Sequence, residues 1–201
     1  MIKNIIFDLG NVLIDFQPYS YLVSQGCSTA EADFLYEEIF RSAEWVELDR
    51  GTISAKQAIE AIKKRNPGQE ILIDRFSDFM PILTQIEENT VLLDDLKSEG
   101  YRLFYLTNYH EELFSRTKEA YSFFDHFEGG VVSAHVKKIK PDPEIFTILL
   151  GKHNLIPEET LFIDDSLANA EAAEKLGMEV IHLEKPEMLK EELNSRLSAE
   201  E

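Results

Sequence analysis

The run Ile5-Ile6-Phe7-Asp8-Leu9-Gly10-Asn11-Val12 decides how this chain is read. Three apolar residues predict a buried strand, and a carboxylate stands at its carboxyl end where the chain enters a glycine-containing loop. In open α/β sheets the reactive groups gather outside the carboxyl ends of the strands. Asp8 is therefore the candidate nucleophile. Alone it reads equally well as a turn or helix cap.

Three later segments repeat the pattern of an apolar run ending in a polar residue: Leu103 to Leu106 followed by Thr107-Asn108, then Lys140-Pro141-Asp142-Pro143, then Leu161-Phe162-Ile163 followed by Asp164-Asp165. Phosphoryl transfer needs a nucleophile, groups that neutralise the phosphoryl oxygens, and a proton source for the leaving alcohol. Asp8 supplies the first. Thr107 and Asn108, just before a helix, point a hydroxyl and backbone amides at a phosphoryl oxygen. Lys140, in a loop stiffened by two prolines with Asp142 as helix cap, is a fixed ammonium that lowers repulsion between nucleophile and phosphate. Asp164 and Asp165 are costly to leave ionised side by side without a cation, and oxygen-only ligands suit magnesium. Each has a plainer reading: Thr107 as a turn former, Asp165 as cap of a helix starting near Ser166.

Outward from these motifs, 201 residues with 44% hydrophobic and 29% charged side chains predict a folded globule with one core and room for a modest insertion. A formal charge of −18 disfavours nucleic acid and anionic membranes, and requires a bound cation and local basic groups before an anionic substrate can enter. Cys27 is the only cysteine, which suits a reducing cytoplasm, and the chain runs from Met1 into the first strand with no signal-like or membrane-spanning stretch.

Helical periodicity fills residues 19–85, with capping-box spacings at Ser28/Glu31 and Ser54/Gln57 and a turn at Asp49-Arg50-Gly51-Thr52 between them. Beyond it, helix 87–100, strand 101–107, helix 111–121, strand 129–133, helix 143–154, strand 161–164, helix 167–176 and strand 180–183 alternate. Alternation predicts parallel pairing with helices on both faces: a doubly wound, Rossmann-like α/β core (1–15 and 87–201) with an α-helical insertion (16–86) after its first strand. The end, Leu197 to Glu201, reads as a frayed acidic helix terminus. Arg41, Trp45, Glu47, Asp49 and Arg50 are the insertion residues able to reach a substrate, and Arg50 is the one selected. Of five histidines only His110 lies near a motif, and structural roles are the default for all of them.

In order and spacing the four motifs resemble those of the haloacid dehalogenase-like hydrolase superfamily, over almost the whole chain. The resemblance implies a Mg2+-dependent phosphatase, a helical cap over the active site, an aspartyl-phosphate intermediate on Asp8, and a metal held by Asp8, the Gly10 carbonyl and Asp165 with Asp164 in support. Most phosphatases of the superfamily carry an acid where Gly10 stands, serving as proton donor to the leaving group, a loss worth about 10²–10⁴ in rate. The opening Phe7-Asp8-Leu9-Gly10-Asn11-Val12 is similar to that of the α-D-glucose-1-phosphate phosphatase group, which also has glycine there, so a sugar phosphate is the expected small-metabolite substrate. Relatives often have glycine at the position of Lys137. Two other readings stay open. A phosphoryl-accepting or catalytically silent binding module uses similar groups, but receivers place the acidic pair after the first strand. A metal-independent 2-haloacid dehalogenase lacks that pair and usually has tyrosine at the position of Gly10.

Overall fold

The computed structural model describes residues 1–197. Strands β1 (Asn4–Phe7), β4 (Arg102–Thr107), β5 (Gly129–Val132), β6 (Thr160–Asp164) and β7 (Glu179–His182) form one parallel sheet in the order β5-β4-β1-β6-β7. The remaining strands, β2 (Ile14–Phe16) and β3 (Leu83–Gln85), pair antiparallel in a separate two-stranded ribbon.

Pleating divides the sheet's apolar residues between two cores. Ile5, Phe7, Leu103, Tyr105, Leu161 and Ile163 point to one face, and Ile6, Phe104, Leu106, Val131 and Phe162 to the other. On the second face lie Ile145, Phe146 and Leu149 of one helix and Ala172 and Ala173 of another. The first face is larger and runs on without a break into the helices that separate β2 from β3, through Leu22, Leu35, Ile39, Ile59, Ile62 and Ile73. Helices on both faces of a parallel sheet make the fold doubly wound, as the alternation predicts.

The helices between β2 and β3 are α1 (Pro18–Ser24), α2 (Thr29–Leu35), α3 (Ala43–Arg50), α4 (Ala55–Arg65) and α5 (Glu70–Arg75), with a π-helical turn at Tyr36–Phe40. Both capping boxes form: the Ser28 and Ser54 hydroxyls accept from the amides of Glu31 and Gln57, whose side chains accept in return. The rest of the chain adds α6 (Glu87–Thr90), α7 (Leu92–Ser98), α8 (Glu111–Ala120), α9 (Ser133–Val136), α10 (Pro143–His153), α11 (Leu167–Glu174) and α12 (Leu189–Leu197).

Three local expectations change. Asp49 and Arg50 end α3 rather than forming a turn, and Gly51 closes that helix at φ 72° in the left-handed region that favours glycine. The helix expected over 87–100 is two, interrupted at Val91. The ribbon β2–β3 has only three residues per strand, too few for a period-2 signal to emerge from the sequence. Of the expected acidic terminus only Leu197 is described; 198–201 lie outside the described residues.

Candidate active site

Register builds the centre of the site. Phe7 stands opposite Ile163, so the next residues, Asp8 and Asp164, leave neighbouring strands side by side, and the Asp8 amide donates to the Ile163 carbonyl at 2.8 Å. On the other flank Phe7 stands opposite Tyr105, which carries Thr107 to the same rim. Carboxylate oxygens of Asp8, Asp164 and Asp165 lie within 4.8 Å of one another.

Lys140 ties this cluster together. Its Nζ lies 2.9 Å from Asp8 Oδ1 and 2.6 Å from Asp164 Oδ2, and donates to the Leu106 carbonyl at 2.8 Å. Burial works against its charge, yet Asp164 and Asp8 outweigh burial and hold the ammonium above its usual pKa. Asn108 fixes the loop that delivers it, donating to the Lys140 carbonyl at 3.0 Å and accepting from the Lys140 amide at 2.8 Å. The Asn108 side chain thus positions Lys140, with one N–H and one lone pair used. Asp142 caps α10, as expected, accepting from the Glu144 amide at 3.0 Å.

The acidic pair divides its work. Asp164 is saturated: Oδ1 accepts from the Ser166 amide at 2.8 Å and Asn169 Nδ2 at 2.9 Å, and Oδ2 from Lys140. It is Asp164, not Asp165, that satisfies the start of α11. Asp165 accepts from Asn11 Nδ2 at 2.9 Å on one oxygen, leaving the other toward the cleft. Asp8 Oδ1 takes the Leu9 amide at 2.7 Å together with Lys140, so Oδ2 is the oxygen available for chemistry. Burial foremost, with repulsion from Asp164 and Asp165, pushes Asp8 up to about 7 against the pull of Lys140, and burial raises Asp165 as well.

Three carboxylates face one ammonium, an excess of two negative charges that a divalent cation would cancel. The donor set is all oxygen, which fits a hard cation.

Above this floor the cleft is lined by Asn11, Ile14, Phe16, Trp45, Asp49, Leu83, Tyr109, His110 and Leu113, with Gly10, Thr107, Asn108 and Asn169 at its base. Trp45 is locked by rings, 5.9 Å from Phe16 in a stacked pair and 5.0 Å from both Phe40 and Phe79. Arg50 does not line the cleft; its Nε pairs with Glu47 at 3.3 Å. Arg41 likewise pairs with Glu37 at 3.2 Å. Lys137 adopts φ 59°, a conformation that suits glycine, and donates to the Gly51 carbonyl. Lys138 pairs with Glu144.

Sequence reasoning missed the roles of Asn11 and Asn169. Asn11 sits at φ 53° and links Asp165 to the start of the helical segment, its Oδ1 accepting from the Phe16 amide at 3.2 Å. A signal existed, since asparagine tolerates left-handed backbone and bonds in two directions. His110 also reaches the cleft wall, with Nε2 buried and unpartnered, and burial lowers it to about 4.

A family profile described as haloacid dehalogenase-like hydrolase matches residues 5–183. The chain belongs to that family. Among this family's curated members it is 30% identical to the sesquiterpene phosphatase AstK of Aspergillus oryzae, over 90% of this chain and 89% of the relative. It is 25% identical to the D-ribitol-5-phosphate phosphatase of Bacteroides thetaiotaomicron, over 99% and 100%. A solved haloacid dehalogenase family enzyme from Bacteroides thetaiotaomicron, in complex with magnesium and inorganic phosphate, superposes with a TM-score of 0.71 at 25% identity, covering 90% of this chain and 93% of that one. The protein is thus a hydrolase of the haloacid dehalogenase-like family, with phosphoric monoester hydrolases among its relatives. Among the described residues no helix is long and apolar enough to cross a membrane.

Proposed function

We propose that this hydrolase is a magnesium-dependent phosphatase that cleaves a small phosphorylated metabolite, of the sugar-phosphate class, through an aspartyl-phosphate on Asp8. The observation that carries the reading is the meeting of Asp8, Lys140, Asp164 and Asp165, drawn from two strand ends and one loop, at a single point of the cleft floor.

Asp8 Oδ2 attacks phosphorus while Lys140 holds Oδ1 and offsets the charge of the incoming phosphate. Thr107, with the backbone at Asn108, receives a phosphoryl oxygen at the rim of β4. Water then cleaves the acyl phosphate and restores the Asp8 carboxylate. Asp8, the Gly10 carbonyl and Asp165 would hold the cation, with Asp164 in support through Lys140, Ser166 and Asn169. When bound, magnesium supplies positive charge that keeps Asp8 ionised beside its acidic neighbours and screens the phosphoryl oxygens.

Residues 1–15 and 87–201 form the catalytic core in this reading, and 16–86 a cap whose Trp45 ring offers a flat apolar face to a sugar. Arg50 follows the cleft-lining Asp49, and its assignment to substrate requires that it release Glu47. The D-ribitol-5-phosphate phosphatase relative supports the substrate class. A cytoplasmic setting fits the lone Cys27. The paired Asp164 and Asp165 favour this reading over a metal-independent dehalogenase.

The test is phosphate release from a panel of sugar phosphates and nucleotides, with magnesium and with chelator. Activity that requires magnesium and is lost in Asp8→Asn is expected; unchanged release in Asp8→Asn refutes the assignment.

A further inference from the structure

We infer that Asp49, on the last turn of α3, gives the proton to the leaving oxygen that residue 10 cannot give, a role that rests on the phosphatase reading above.

Position comes first. Asp49 lines the same cleft as Asp8 and Gly10, and the carboxyls lining it among the described residues are Asp8, Asp49 and Asp165. Asp8 is needed as nucleophile, and Asp165 is engaged by Asn11 beside Asp164. That leaves Asp49, which approaches from the helical segment rather than from the sheet. A Cβ added at Gly10 would meet nothing within 4 Å, so the space an acid there would fill is open.

Rigidity comes second, because a proton donor must sit within hydrogen-bond reach of the atom it serves. The Asp49 carbonyl accepts from the buried Ser133 hydroxyl, which in turn accepts the Tyr109 amide at 2.8 Å. Two residues on, the Gly51 carbonyl accepts from Lys137. The end of α3 is therefore fastened to α9 and to the loop after β4, which begins at Asn108 directly beyond Thr107. The Trp45 indole, on the same helix, favours the charged form of the Asp49 carboxyl, an effect that burial outweighs.

Protonation fits. Burial, and after it the charge of Asp8, lifts the Asp49 carboxyl to about 7, poised to give and retake a proton near neutrality. The charged or titratable groups around it are Asp8 and Tyr109. His110, the other titratable wall residue, is neutral near pH 7 and has no imidazolium proton to give.

The step balances. As the Asp8 Oδ2–phosphorus bond forms, the bond from phosphorus to the alcohol oxygen breaks, and its electron pair takes the proton of the Asp49 carboxylic acid. Asp49, now a carboxylate, accepts a proton from the water that attacks phosphorus. The phosphorus–Asp8 bond then breaks, leaving inorganic phosphate and both residues as they began.

The experiment compares two esters with magnesium present: p-nitrophenyl phosphate, whose phenol leaves without help, and glucose 6-phosphate, whose alcohol does not. Asp49→Asn should lower kcat/KM, which covers the steps up to aspartyl-phosphate formation, on the sugar ester by about 10²–10⁴-fold and leave that of the aryl ester within about tenfold. Adding Gly10→Asp to that variant should recover the sugar ester. An equal loss of kcat/KM on both esters, or no loss on the sugar ester, overturns the role while leaving the phosphatase reading intact. Should Asp49→Asn not fold, a series of alkyl and aryl esters on the natural protein decides. A shallow dependence of kcat/KM on leaving-group pKa supports an internal acid and a steep one overturns it. Release from neither ester by the natural protein, with Asp8→Asn no different, overturns both readings together.

Discussion

Lys140 Nζ lies 2.9 Å from Asp8 Oδ1 and is almost wholly buried there, so nucleophile and ammonium neutralise each other away from bulk water. Its second carboxylate, Asp164, is completely buried. Removing the ammonium strands two carboxylates in a poorly solvated site. Lys140→Met should cost about 3–5 kcal/mol of stability at neutral pH and abolish phosphate release. Chemical denaturation with magnesium absent measures the first, and a phosphate assay the second. The stability loss should shrink on acidification, as the stranded carboxyls protonate.

The raised carboxyls predict an unusual pH slope for the metal-free protein. Asp8 and Asp49 titrate near 7 when folded, against a carboxylate's ordinary range when unfolded. Between about pH 4 and 7 the folded state therefore binds more protons than the unfolded state, and stability falls as pH rises through that window. Asp8→Asn and Asp49→Asn should each flatten the slope. Denaturation midpoints in chelator across pH 4.5–7.5 provide the check, and a slope unchanged in both variants contradicts the assignment.

Asn169 acts on the cleft floor through Asp164. Its amide is one of three donors that saturate Asp164. Asn169→Ala should weaken magnesium affinity about 10–100-fold, as losing a partner behind a metal carboxylate does, at a stability cost of about 1–3 kcal/mol. Titrating magnesium against phosphate release reads the first quantity and urea denaturation the second.

Two glycines should respond in opposite ways to alanine. Gly10 has open space beyond its Cα and an ordinary φ, so Gly10→Ala should fold with little change in Tm. Gly51 sits at φ 72°, where a new Cβ would lie 2.6 Å from the Ala134 carbonyl oxygen. Gly51→Ala should cost about 1–3 kcal/mol and raise KM, because α3 carries Trp45 and Asp49 into the cleft. Thermal melts of the two variants side by side settle the contrast.

The parts of the site that the sequence makes legible are those encoded locally. Asp8, Thr107, Asp164 and Asp165 each end an apolar run, so a strand followed by a polar residue already places them at one rim of a parallel sheet, where the structure brings them with Lys140. Asn169 and His110 stand only five and three residues beyond Asp164 and Thr107, but the turn of the chain into the next helix, which no periodic spacing announces, is what brings them to the cleft. Asp49 is only one of several insertion residues that the sequence offers, because Asp-Arg-Gly reads as a turn. The same three residues also suit a helix end closed by a left-handed glycine, and the packing of α3 against α9 selects that outcome. Arg50, expected at the tip of that turn, stands instead in the last turn of the helix, where Glu47 is its i, i+3 partner.

The fastening of α3 to α9 bears on how such a chain diversifies. Helices α1, α2 and α4 belong to the same segment, but the two carbonyls at the end of α3 take their donors from Ser133 and Lys137 outside it. Substitutions among the outer helices can accumulate without dragging the residues nearest the scissile bond out of place. A chimera that imports foreign outer helices while retaining Ser42 to Thr52 therefore inherits an intact reaction centre, and selection can trade one metabolite for another by redrawing the periphery alone.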